Sequence, residues 1–135
     1  MRRSQNMVLI DANAILRYML IDNIEMAQKT KSIIESRKIY VGTEVIAEVI
    51  YVLERVYKLS RSDIADGLLK FFRHENIYVE SHSVLSTALD LYALKNFDFV
   101  DTILYAKNRI YGYDVFTFDK KLKTSLNQQS EDSYK

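Results

Sequence analysis

Four short apolar runs set the main constraint on what this chain can fold into. They are Met7-Val8-Leu9-Ile10, Ile39-Tyr40-Val41, Ile77-Tyr78-Val79 and Val115-Phe116-Thr117-Phe118, and longer segments with helical apolar spacing separate them. A continuous apolar run of this length is typical of a strand that is buried on both faces. Strands that alternate with helices need crossover connections, which predict a mainly parallel sheet with helices on both faces. The sequence therefore indicates an α/β fold, in which ligands bind beyond the carboxyl ends of the strands.

The segments between these runs are predicted to be helices from their apolar spacing and their capping residues. The predicted helices are Ala14–Leu20, Met26–Ile34, Glu44–Tyr57 after Thr43 as N-cap, Arg61–Phe72 after Ser60 as N-cap, Ser83–Leu94, Phe99–Tyr111 before a left-handed Gly112, and Lys120–Leu126. Residues 1–126, which include a six-residue leader, are expected to form one domain. Residues 127–135 lack apolar periodicity and are expected to fray.

Composition excludes several classes of site. The chain has no Cys, which excludes disulfides, zinc–thiolate sites, iron–sulfur clusters and a Cys nucleophile. Its three Gly are too far apart for a dinucleotide fingerprint or an NTPase phosphate loop, and its two His are too few for a His-based zinc site. Any metal ion would therefore be held mainly by oxygen ligands.

Charge and hydropathy limit the possible partners. The net charge is only +1, so binding to nucleic acid would need a local basic patch. The segment from Tyr105 to Ser125 has such a bias, with five basic and two acidic residues. No apolar run approaches the roughly 18 residues that span a bilayer. We therefore expect a cytoplasmic protein that is not inserted in a membrane.

Two acidic residues directly follow predicted strands. Asp11 follows the first run, with Asn13 two residues later, and Asp119 follows the fourth run. Because the carboxyl ends of parallel strands meet at one edge of a sheet, both acids are expected at that edge. Each has a purely structural alternative, since Asp11 could be a helix N-cap and Asp119 a turn or cap residue.

Glu48 is the third candidate acid. At about 100° per residue it lies about 40° from Val52 and 60° from Val45 on the helical wheel, so it borders the predicted buried stripe. Glu54 is expected on the solvent face, and Glu44, near the helix start, is the main alternative to Glu48. The stripe consists of Val45, Val49, Val52 and Val56.

Asp98 and Asp101 lie three residues apart at the start of a predicted helix. Asp101 is the closer of the two to the apolar stripe of that helix. The structural alternative is a capping residue followed by an acid in the first turn, which interacts favourably with the helix dipole.

The four acids Asp11, Glu48, Asp101 and Asp119 are more informative together than singly. If they converge at one edge of the sheet, they repel one another and raise their own pKa values. A bound Mg²⁺ or Mn²⁺ ion would compensate for this repulsion, because hard cations prefer carboxylate oxygens. Mg²⁺ is commonly completed by water and substrate phosphate, which indicates phosphodiester chemistry.

With these residues identified, the sequence resembles the PIN domain family, and within it the VapC-type toxins of toxin–antitoxin pairs. The resemblance extends over about Met7 to Leu126, and its motifs occur in family order. They are Val8-Leu9-Ile10-Asp11-Ala12-Asn13, Glu48-Val49-Ile50-Tyr51-Val52-Leu53-Glu54-Arg55, Phe97-Asp98-Phe99-Val100-Asp101 and Val115-Phe116-Thr117-Phe118-Asp119.

The resemblance implies a three-layer α/β/α domain with a short sheet of four to five strands. It implies a Mg²⁺- or Mn²⁺-dependent endoribonuclease that acts on RNA, forms a homodimer and is silenced by a small VapB-like antitoxin. By position it assigns Asp11, Glu48 and Asp101 as metal-binding acids and Asp119 as a fourth, more variable acid. Asn13 and Thr117 match supporting polar positions, and Asp98 matches an acid beside the site.

Other readings of the sequence remain open at this point. Arg17, Lys120 and Lys121 are candidate contacts to RNA phosphates, although ordinary solvated charge explains them equally well. A receiver-type signalling domain also gathers acids around Mg²⁺, but it needs a reactive Asp at the end of a middle strand. A third hypothesis is a PIN-like binding module that acts only through partners.

Overall fold

A computed structural model describes residues 7–20 and 23–132. The chain divides into two compact units, one up to His82 and the other from Ser83 onward. The six-residue leader and the end of the predicted polar tail, residues 133–135, lie outside the described residues. The expected single domain over residues 1–126 stays a prediction.

The first unit contains a parallel sheet of three strands within the described residues. The strands are β1 (Met7–Leu9), β2 (Lys38–Tyr40) and β3 (Ile77–Tyr78), in the order β1-β2-β3. Leu9 is paired in register with Tyr40, and Tyr40 with Tyr78. The predicted α/β class and parallel strand direction are therefore confirmed for the first three apolar runs.

Four helices connect and follow these strands in the first unit. They are α1 (Ala12–Leu20), α2 (Ile24–Ser36), α3 (Thr43–Arg55) and α4 (Arg61–Phe71). Helix α1 packs against α2 and α3, and α3 packs against α4. Fully buried side chains from the helices, from β2 and β3 and from the residue after β2 form the core of the unit, among them Ile15, Ile34, Ile39, Val41, Val49, Leu53, Ile64, Leu68 and Ile77.

Capping residues define where these helices begin. The Ser60 hydroxyl accepts the Asp63 N–H at 3.1 Å, as predicted, and Asn23 Oδ1 accepts the Met26 N–H at 3.0 Å. The predicted Thr43 cap is wrong, because Gly42 is the N-cap of α3 and Thr43 is already helical. An unpredicted contact closes the other end of α2, where the Asn76 side-chain amide donates to the carbonyls of Ile34 and Arg37.

The second unit is helical in its described part. Its helices are α5 (His82–Leu94, beginning at the unit boundary), α6 (Phe99–Tyr111) and α7 (Lys120–Asp132), and α6 packs against α7. Phe97, Tyr105 and Leu122 form its buried cluster. Helix α6 has the predicted bounds and ends at Gly112 with φ of 76°, the left-handed conformation that favours glycine.

The predicted fourth strand at residues 115–118 is wrong. In the described residues this segment pairs with no strand, so the sheet has three strands rather than four or five. Exposure alternates along it: Val115 packs against the Phe97–Leu122 cluster, whereas Phe116 and Phe118 are 88% and 82% exposed. An apolar run favours an extended segment, but strand formation also requires a partner for its backbone groups.

Helix α7 is longer than predicted. It continues past Leu126 to Asp132, although residues from Asn127 onward lack an apolar stripe. Exposed polar residues such as Asn127 and Gln128 can continue a helix whose side chains are all in solvent. The loss of apolar periodicity after Leu126 therefore did not indicate the end of the helix. No helix within the described ranges is both long and apolar enough to cross a membrane.

Candidate functional site

Asp11 and the start of α3 lie at the carboxyl edge of the sheet, each at the same distance in the chain from the strand that precedes it. Because Leu9 and Tyr40 are register partners, Asp11 and Gly42 each come two residues after the end of a paired strand. Helix α1 begins at residue 12 and α3 at residue 43, so both helices leave from this edge. Chain order therefore places Asp11 where the sequence predicts it.

Asp11 is held by helix α1. Its Oδ1 accepts the Ala14 N–H at 2.9 Å, and its backbone carbonyl accepts the Ile15 N–H at 3.3 Å. The carboxylate is exposed, and a carboxylate has two oxygens with about four acceptor positions. Capping thus fixes the direction of the side chain and leaves acceptor capacity for a cation.

The prediction that Glu48 borders the buried stripe of α3 is wrong, because a different row of residues is buried. The fully buried residues are Ile46, Val49, Ile50 and Leu53, whereas Val45 and Val52 are half-buried and Val56 is exposed. Glu48 lies about 150° from the centre of this stripe. It is exposed rather than at the core boundary, and it lies roughly 7 Å along the axis from the start of the helix.

The other two glutamates of α3 are engaged elsewhere. The Glu44 carboxylate folds back over Gly42, so a Cβ at Gly42 would lie only 2.7 Å from Glu44 Cδ. Glu54 was expected on the solvent face, but it is half-buried and lies 3.7 Å from Arg61. Glu44 is thus turned to its own helix terminus and Glu54 to α4, and the predicted role of Glu48 as a metal ligand stays a prediction.

Asn13 and Arg17 both lie on α1. Asn13 is exposed and lies two residues after Asp11, whose carboxylate caps α1. Arg17 is half-buried in the last turn of the same helix. Their predicted roles, support of the acids for Asn13 and a phosphate contact for Arg17, stay predictions.

In the second unit, Asp98 and Asp101 lie at the start of α6. Asp98 has the extended backbone of an N-cap, but its side chain makes no capping hydrogen bond and is exposed. Asp101 is half-buried in the first turn. Asp98 is therefore the N-cap of α6 without a side-chain capping bond, and Asp101 lies in the first turn, as the structural alternative expects. Next to them, the buried Thr102 hydroxyl donates to the Phe99 carbonyl at 2.6 Å.

Asp119 is fixed by a short hydrogen-bond chain. Its backbone N–H donates to the Thr117 hydroxyl at 3.0 Å, and its Oδ1 accepts the Leu122 N–H at 2.8 Å as α7 begins. Thr117 therefore contacts the backbone of Asp119 directly, which agrees with a supporting position. As with Asp11, one carboxylate oxygen caps a helix and the other keeps its acceptor capacity.

The three candidate acids of the second unit interact electrostatically. Burial raises the pKa of Asp101 above its ordinary value of 3.8, and the negative charges of Asp98 and Asp119 raise it further. The positive charge of Lys121 acts in the opposite direction and lowers that pKa. A divalent cation would relieve the repulsion that remains, and the donors are all hard carboxylate oxygens.

Lys121 has contacts that sequence reasoning missed. Its Nζ donates to the Asn96 carbonyl and lies 4.7 Å from the centroid of the Phe97 ring. Asn96 is 25 residues away in the chain, so no local pattern could have indicated this pairing. Lys121 acts here as a counter-charge beside Asp101, while Lys120 is exposed at the start of α7.

The predicted acids thus occur in two groups, Asp11 with Glu48 in the first unit and Asp98, Asp101 and Asp119 in the second. In the part of the chain that the structure describes, no three Asp, Glu or His side chains form a ready-made metal cluster. The convergence of all four ligands stays a prediction. What the structure contributes is the fixed direction of Asp11 and Asp119 and the repulsion around Asp101.

Comparison with known proteins bears on what such acids do. The family model described as the PIN domain matches residues 8–124. A VapC ribonuclease of Aquifex aeolicus (strain VF5) is 30% identical over 100 residues, which cover 73% of this chain and 70% of that protein. No solved structure gives a significant match.

Proposed function

This chain belongs to the PIN domain family, and we propose that it is a metal-dependent endoribonuclease that hydrolyses RNA phosphodiester bonds. The family match over residues 8–124 carries the proposal. It is supported by the capping bonds that fix the Asp11 and Asp119 carboxylates and by the pKa of Asp101, which burial and then the charges of Asp98 and Asp119 raise. The similarity to a VapC ribonuclease supports RNA as the substrate. Titratable groups perturbed in this way are enriched at catalytic sites.

We assign Asp11, Glu48, Asp101 and Asp119 as the ligands of Mg²⁺ or Mn²⁺. When bound, the cation would lower the pKa of a water molecule and stabilise negative charge at the scissile phosphate. The capping bonds of Asp11 and Asp119 hold these carboxylates in fixed directions. These two side chains therefore lose little conformational entropy when a cation binds. Thr117 supports Asp119, Asn13 lies beside Asp11 on α1, and Asp98 adds negative charge next to Asp101.

Basic residues provide the contacts to the substrate backbone in this proposal. Arg17 and Lys120 are the candidates for RNA phosphates. Lys121, which is bound to the Asn96 carbonyl, tunes the charge beside Asp101 and can also attract phosphate. With only these local charges, association depends on salt concentration rather than on the net charge of the chain.

The similarity to a VapC ribonuclease also supports a biological setting. We propose that the protein is the toxin of a type II toxin–antitoxin pair, a homodimer that is silenced by a small VapB-like antitoxin and acts on RNA in the cytoplasm. A receiver-type domain is disfavoured because the central strand β2 is followed by Val41 and Gly42, without the acid that would be phosphorylated. A PIN-like binding module would keep the acids without cleaving RNA.

The test is cleavage of structured RNA with Mg²⁺ or Mn²⁺. We expect cleavage by the wild-type protein to disappear with EDTA and to fall at least 100-fold in Asp11→Asn, because an amide is a poor ligand for a hard cation. Asp90→Asn, which neutralises an exposed acid on α5, is the matched control and should cleave normally. Full activity of Asp11→Asn, or RNA binding without cleavage by the wild type, would contradict the proposal.

A further inference from the structure

A surface cavity of about 450 Å³ in the first unit has no role in the proposed metal site. We call it the α1–α4 groove, because α1 provides Tyr18 and Met19 and α4 provides Gly67, Lys70 and Phe71. Lys31 of α2 and His74 complete its lining. Its volume is in the range of sites that take a nucleotide-sized ligand.

The floor of the α1–α4 groove is aromatic and apolar. The half-buried Tyr18 packs on the buried Phe71 with their ring centroids 5.8 Å apart. A Cβ at Gly67 would lie 3.3 Å from Met19 Cε, so the missing side chain keeps the floor open. Glycine inside a helix usually costs about 0.5–1 kcal/mol relative to alanine, which makes its use at this position informative.

The rim of the groove is cationic. Lys31 and Lys70 are exposed at its sides, and no acidic residue within the described ranges lines it. Neither lysine forms an ion pair among the residues that the structure describes. Two available ammonium groups beside an aromatic floor match the chemistry of single-stranded nucleic acid, in which bases stack and phosphates carry charge.

The groove is separate from Asp11, the candidate acid that caps α1. Asp11 precedes the first turn of α1 and Tyr18 lies near its last turn, which separates them by roughly 10 Å along the axis. Asp11 is not among the residues that line the groove.

We propose that the α1–α4 groove binds one nucleotide of a single-stranded RNA segment, with its base against Tyr18 and adjacent phosphates at Lys31 and Lys70. This inference rests on the proposed function, since it makes the groove a second contact for the RNA substrate. It adds a determinant of substrate choice, because RNA that is fully base-paired cannot offer an unstacked base to Tyr18.

The test is fluorescence anisotropy with a labelled single-stranded RNA of twelve nucleotides in EDTA, so that no cleavage occurs. We expect Lys31→Glu/Lys70→Glu to bind at least tenfold more weakly, and its plot of log affinity against log salt to be shallower by about 1.4, which corresponds to two lost phosphate contacts. Lys29→Glu/Lys38→Glu changes the net charge equally at exposed sites outside the groove and should bind nearly as the wild type does.

Two uncharged variants separate stacking from general electrostatics. Tyr18→Leu and Gly67→Gln, which remove the stacking ring and fill the groove, should each weaken binding roughly tenfold with an unchanged salt slope. Circular dichroism would verify that each variant is folded. Equal weakening in both charge-reversal pairs, or wild-type affinity in the groove variants, would overturn the inference. In the latter case an acidic peptide would be the better candidate for the groove.

Cleavage assays on the same variants distinguish this inference from the proposed function. If Asp11→Asn is inactive but Lys31→Glu/Lys70→Glu binds RNA normally, the groove inference fails and the nuclease proposal stands. If Asp11→Asn cleaves normally while the groove variants lose RNA binding, the assigned metal site fails and the groove inference is supported.

Discussion

At the scale of single residues, the capping and catalytic interpretations of an acid are compatible. Asp11 Oδ1 caps α1 and Asp119 Oδ1 caps α7, and each carboxylate keeps a second oxygen. The sequence predicted which acids follow the apolar runs, and it also predicted their capping alternatives. It could not predict that capping uses only one oxygen of each carboxylate, because that depends on the direction in which the cap fixes the side chain.

Substitutions at Asp11 should separate these two roles. Asn is as good an N-cap as Asp, so Asp11→Asn should leave the free energy of unfolding within about 0.5 kcal/mol of the wild type. Asp11→Ala removes the bond to the Ala14 N–H and should cost about 1 kcal/mol. Both should lose metal binding. Urea denaturation in EDTA measures the difference, and equal stability of the Asn and Ala variants would contradict the capping role.

Asp101 should make stability depend on pH. Because its pKa is raised in the folded state, the folded protein binds more protons than the unfolded chain from pH 3.8 up to that raised value. The free energy of unfolding therefore falls as the pH rises through this window, and the loss persists at pH 7. Without metal, Asp101→Asn should be more stable than the wild type at pH 7 and no more stable below pH 3.8.

Thermal unfolding of Asp101→Asn and the wild type in EDTA at several pH values tests this sign, with Asp90→Asn as the control. Saturating Mg²⁺ should raise the melting temperature of the wild type and have little effect on Asp101→Asn. A lower melting temperature of Asp101→Asn at pH 7 in EDTA would contradict the repulsion.

At the scale of elements, the sequence predicted those strands, caps and helix bounds that depend on local patterns of residues. The first three strands, the Ser60 cap and the bounds of α6 follow from short apolar runs and capping residues. Residues 115–118 did not form a strand, since pairing is not local. The buried face of α3 was misassigned because most of that helix is apolar, and neighbouring helices decide which row is covered.

Two left-handed positions next to helix ends should respond to substitution with opposite signs. Lys58, which follows α3, has φ of 58°, and Gly112, which follows α6, has φ of 76°. Lys58→Gly should stabilise the protein by about 0.5 kcal/mol, and Gly112→Ala should destabilise it by about 1 kcal/mol. Gln28→Gly inside α2 is the control and should cost about 1 kcal/mol. Urea denaturation decides, and a shift of the same sign for Lys58→Gly and Gly112→Ala would contradict the strain at Lys58.

At the scale of the whole molecule, a net charge of +1 conceals local groups of opposite sign. Acids gather at the start of α6 and α7, whereas the rim of the α1–α4 groove is basic. Such separation suits a protein that binds both a cation and a polyanion. The central claim is that the carboxylates of Asp11, Glu48, Asp101 and Asp119 bind the Mg²⁺ or Mn²⁺ of the proposed nuclease.

The most direct test of that claim is the affinity for Mn²⁺, measured by isothermal titration calorimetry at pH 7 for the wild type, Asp11→Asn, Asp101→Asn and the double variant. If these acids bind the metal, each single substitution should weaken Mn²⁺ binding at least tenfold, and the double variant should bind no better than the weaker of the two single variants. Wild-type affinity in either single variant would contradict the assigned ligands.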